Sequence, residues 1–155
     1  MDTMTEKKFL EEAMKCAERN DFSTGIIVLE RAIKEIPNSS IIIFNLGDMY
    51  RAYAQYLYCQ KILSRYMMIN EEIMSEARHL ITDDILEKAL KANHYFVEYV
   101  NKEPVLSTLE GSMATFLNNI WYLMEENDFT TYSQAEQQGR GSMAILFGLM
   151  KKYYV

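Results

Sequence analysis

The chain has 155 residues, of which 49% are hydrophobic and 25% are charged, and these proportions exclude a disordered protein. Its 6 glycines and 2 prolines are too few for the turns of a many-stranded β protein, so they favour long helices with few connections. The net charge of −6 disfavours a nucleic-acid partner, since binders of DNA or RNA usually carry a basic patch.

Apolar side chains recur every three to four residues near the start of the chain, as they do on one face of an amphipathic helix. This pattern predicts a first helix over residues 5–19. A second helix is expected to begin at a cap, either Asp21 or Ser23, because short polar side chains bind the free N–H groups of a helix start. It is expected to end at Pro37, which cannot continue the ladder of backbone hydrogen bonds.

The next apolar positions predict a third helix around residues 42–53 and a fourth around residues 56–66. The fourth helix follows either directly or after a short turn near Ala54-Gln55. Both possibilities are left open at this point, because neither residue is a helix breaker.

Two consecutive segments of about 34 residues, which begin at Glu6 and Ser40, carry related features. The first segment has Asn20-Asp21-Phe22 at its turn and closes on Pro37, and the second contains Asn45-Leu46-Gly47-Asp48-Met49-Tyr50. Over about residues 6–70 the chain thus resembles the tetratricopeptide repeat (TPR), a helix–turn–helix unit. The resemblance implies a short array of antiparallel helix pairs that binds a protein segment in a groove.

The resemblance also implies which residues line that groove, namely the inner face of the first helix of each unit. By position these are Leu10, Met14, Ala17, Glu18, Phe44, Asn45, Asp48 and Arg51. One version of the groove binds acidic tails through Lys and Asn side chains. Here only Asn45 falls on such a position, while Leu10 and Met14 replace the Lys and Asn of the first helix. An apolar or helical ligand is therefore expected instead.

The remainder of the chain is predicted to be helical as well. A break is expected at Thr82-Asp83-Asp84, because Asp84 and Glu87 have the spacing of a capping box. A further helix is expected from Pro104 to about Glu125. The last helix follows Ser142 and is apolar nearly all round, so the rest of the chain or a partner must cover it. Its candidate contacts, including those of a homodimer, are Met143, Leu146, Phe147 and Met150.

Charge is distributed unevenly along the sequence. Between Lys102 and Arg140 there are six carboxylates and no Lys or Arg: Glu103, Glu110, Glu125, Glu126, Asp128 and Glu136. This stretch is either a surface for a basic partner or a solvated acidic flank.

Catalytic and metal-binding motifs are not evident. Cys16 and Cys59 are isolated, which is typical of a reduced, cytoplasmic protein, and no run reaches the ~20 apolar residues of a membrane span. Glu76 and His79 have the Glu-x-x-His spacing of di-iron bundles, but the second such pair is missing. We therefore expect no metal, no cofactor and no enzymatic activity, with a metalloprotein built on Glu76 and His79 as a remote alternative.

Together these observations predict one all-α domain over residues 1–155, with TPR-like helix pairs at 6–70 and additional helices at 71–155. The expected function is that of a non-enzymatic interaction module, such as an adaptor, chaperone or inhibitor. The alternative is a self-associating helical subunit of a homo-oligomer or a larger complex.

Overall fold

The computed structural model describes residues 3–102, and within this range the chain forms helices and no strands. This confirms the predicted all-α fold class. The elements in chain order are α1 (Thr3–Glu18), α2 (Phe22–Glu35), α3 (Ser40–Tyr66), α4 (Glu71–Glu76), a 3₁₀ segment (Ala77–Leu80) and α5 (Asp83–Lys102).

The junction of α1 and α2 is built by polar residues. Asn20 adopts the left-handed conformation (φ 58°), and its N–H donates to the carbonyl of Ala17 at 2.9 Å. The N–H of Asp21 donates to the carbonyl of Cys16 at 2.9 Å, which completes a Schellman ending of α1. The Asp21 carboxylate then accepts from the N–H of Thr24, so Asp21, one of the two predicted caps, caps α2.

The junction of α2 and α3 contains Pro37, as predicted, and Ser39 is the N-cap of α3. The Ser39 hydroxyl accepts from the N–H of Ile42 at 3.2 Å and donates to Glu6 Oε2 at 2.6 Å. Because Glu6 lies in the first turn of α1, this second bond holds the starts of α1 and α3 together.

Helix α3 is continuous through Ala54 and Gln55, both of which are buried. Its 27 residues correspond to a length of about 40 Å. The fourth predicted helix is thus the second half of α3, with no turn before it. Consequently residues 40–66 do not form a helix pair, and the TPR-like arrangement stays a prediction.

The core of the described region lies along α3. This helix packs against both α2 and α5, while α1 packs mainly on α2. The largest fully buried side chains come from α2, α3, α5 and the segment that precedes α5: Leu29, Ile42, Ile43, Leu46, Tyr58, Ile62, Ile81 and Ile85. At about 25 cal/mol per Å² of apolar surface, this burial is the main stabilising contribution.

The predicted break before α5 is confirmed, since Ile81 and Thr82 lie between the 3₁₀ segment and α5. The predicted role of Asp84 is wrong. Asp84 lies inside the first turn of α5 and pairs with Lys88 one turn later, which is the ordinary contact of opposite charges spaced i,i+4.

Candidate partner-binding surface

The α1 residues of the predicted groove lie at the surface. Met14 is 55% exposed, and Glu18 is exposed as well. Leu10 and Ala17 are half-buried and pack against the edge of the core. We call Leu10, Met14 and Ala17 the α1 stripe; their spacing of three to four residues places them along one side of the helix.

The face of α1 next to this stripe packs against α2. Ala13 and Cys16, each 3% exposed, point into the contact with α2, where Cys16 Cβ lies 3.4 Å from the position that a Cβ on Gly25 would occupy. Such a close approach of two helices needs a residue without a side chain at the crossing. The rim of this contact is closed by the ion pair of Arg31 and Glu12 at 3.7 Å.

The α3 residues of the predicted groove are engaged in contacts within the chain. The Phe44 ring meets the Tyr99 ring of α5 at a centroid distance of 5.0 Å. Asn45 Nδ2 donates to the carbonyl of Ile41 at 2.7 Å. Asp48 accepts from Arg51 Nε at 2.9 Å. As partner contacts, these α3 residues stay a prediction.

Arg51 was predicted to line the groove, but it is buried, with only 9% of its surface exposed. Its Nη1 donates to Gln55 Oε1 at 2.7 Å, in addition to the bond between Nε and Asp48. A buried guanidinium needs such hydrogen bonds to offset the loss of water. Arg51 therefore holds together one face of α3.

Sequence reasoning missed the role of α5, whose side chains pack on Phe44 of the predicted groove and on the neighbouring rings of Tyr50 and Tyr53. Tyr95 stacks on Tyr50 at 5.9 Å, and the amines of Lys88 and Lys91 lie over the rings of Tyr53 and Tyr50 at 4.8 and 5.5 Å. These α5 residues recur at three- to four-residue spacing, and that signal identifies a contact face but not its partner helix.

One polar contact accompanies this aromatic packing. The Tyr50 hydroxyl donates to Glu30 Oε1 at 2.9 Å. Burial raises the pKa of Tyr50 above its ordinary value, and the hydrogen bond to the Glu30 carboxylate raises it further. The pKa of Tyr95 is raised as well, first by burial and then by the nearby charge of Glu30. Glu30 of α2 thus accepts a hydrogen bond from Tyr50 of α3 and lies near enough to Tyr95 of α5 for its charge to act on that residue.

The remaining sequence candidates do not come together in the described part of the chain. Glu76 and His79 are exposed, and residues 3–102 contain no group of three His, Cys, Asp or Glu side chains placed to hold a metal. Cys16 is buried and Cys59 half-buried, both as free thiols. No helix between residues 3 and 102 has the length and apolar character needed to cross a membrane.

The predicted interface residues Met143, Leu146, Phe147 and Met150 lie outside the described residues, as does the acidic stretch between Lys102 and Arg140.

Comparisons of the chain with models of protein families, with curated proteins and with solved structures find no match in any of the three.

Proposed function

We propose that this chain is a non-enzymatic protein–protein interaction module that binds a segment of a partner protein on the α1 stripe. The observation that carries the proposal is the 55% exposure of Met14 beside Leu10 and Ala17. Unbranched, pliable Met side chains suit surfaces that adapt to a partner.

The state of the two halves of the predicted groove supports this placement. In the α3 half, the ring of Tyr99 from α5 packs on Phe44, and Arg51 is buried. Within residues 3–102, the α1 half offers apolar surface without a comparable cover, because Met14 is exposed and Glu18 beside it is exposed too. Binding is therefore proposed on the α1 side rather than between the two halves.

We also propose a cytoplasmic location for this function. Cys16 and Cys59 are both free thiols, and reduced cysteines are typical of proteins kept in the cytosol.

The test is affinity capture of the full chain from its native host, with the stoichiometry of recovered proteins measured by mass spectrometry. The wild-type chain is compared with Met14→Gln, which keeps the length of the side chain but makes its exposed end polar. Loss of the contact surface of Met14, together with an unpaired amide, is expected to weaken partner binding about ten-fold.

Ile27→Gln is the matched control, because Ile27 is 63% exposed on α2 and lies outside the α1 stripe. Circular dichroism and the unfolding midpoint should be the same for both variants and the wild type. A partner recovered near one-to-one with the wild type and Ile27→Gln, but depleted with Met14→Gln, supports the proposal. Equal recovery with all three, or recovery of the chain alone, contradicts it.

A further inference from the structure

We draw no further inference here: the strongest candidate, the exposed apolar patch of Leu63, Met67 and Met68 at the carboxyl end of α3, carries none because nothing in the structure shows what covers it.

Discussion

The contact of Phe44 with Tyr99 decides whether the α3 half of the predicted groove is packing or a docking surface. Removal of a fully buried Phe side chain costs about 3–5 kcal/mol, and Phe44 is half-buried, so Phe44→Ala is expected to cost about 2 kcal/mol. Tyr99→Ala should cost a similar amount, since Tyr99 is half-buried too. A ring pair at 5.0 Å contributes about 0.5–1.5 kcal/mol beyond the buried area.

The double variant should therefore lose about 1 kcal/mol less than the sum of the two single losses, because the pair is absent after either change. Urea unfolding followed by circular dichroism gives the four free energies of unfolding. Phe44→Ala combined with Tyr53→Ala is the control pair. These residues lie on the same helix about 14 Å apart, and their effects should add.

The reasoning fails if the losses from Phe44→Ala and Tyr99→Ala simply add. It also fails if Phe44→Ala leaves the free energy of unfolding unchanged, since Phe44 would then be available to a partner. In either case the α3 half of the groove returns as a candidate docking surface.

Three further outcomes are expected. Ser39→Ala removes both the cap of α3 and the bond to Glu6, so it should lower the free energy of unfolding by about 1–3 kcal/mol in urea. Ser23→Ala, at an exposed serine, is the control, and an equally small loss in both variants would contradict this role of Ser39. Met67→Gly should stabilise the protein by about 0.5–1 kcal/mol, since Met67 is 89% exposed and left-handed (φ 64°), and a lower melting midpoint would refute this. Because the pKa of Tyr50 is raised on folding, its contribution is present below about pH 10 and is lost above it as the unfolded chain ionises. The free energy of unfolding, measured with urea across that range, should thus fall less steeply in Tyr50→Phe, by up to about 1.4 kcal/mol per pH unit, and equal slopes would exclude this linkage.

Local signals in the sequence predicted most of the helix boundaries. Asp21 and Pro37 act within a few residues of where they stand, through a capping bond and a missing N–H. The continuity of α3 could not be predicted in this way. Ala54 and Gln55 permit both a helix and a turn, and their burial among neighbouring helices favours the helix.

Only the placement of the candidate residues on their helices could be predicted from the sequence, and their role in binding stays a prediction. The positions of Leu10 and Met14 on one side of α1 follow from helical periodicity alone. The cover over Phe44 does not, because Tyr99 is distant in sequence and its periodicity identifies a contact face without its partner. The burial of Arg51 could not be predicted from the sequence either, since charged residues are usually exposed. In the structure its guanidinium is satisfied by hydrogen bonds to Asp48 and Gln55.

The order of helix packing has a kinetic consequence. Helix α1 packs on α2, α2 on α3 and α3 on α5, so most contacts join parts of the chain that are near one another in sequence. Loops that close over short distances cost little entropy, and helical proteins of such low contact order fold in about microseconds to milliseconds. Because α1 and α5 occupy opposite ends of this sequence of contacts, α1 can open while α3 and α5 stay packed. Amide hydrogens should therefore exchange faster in α1 than in α3.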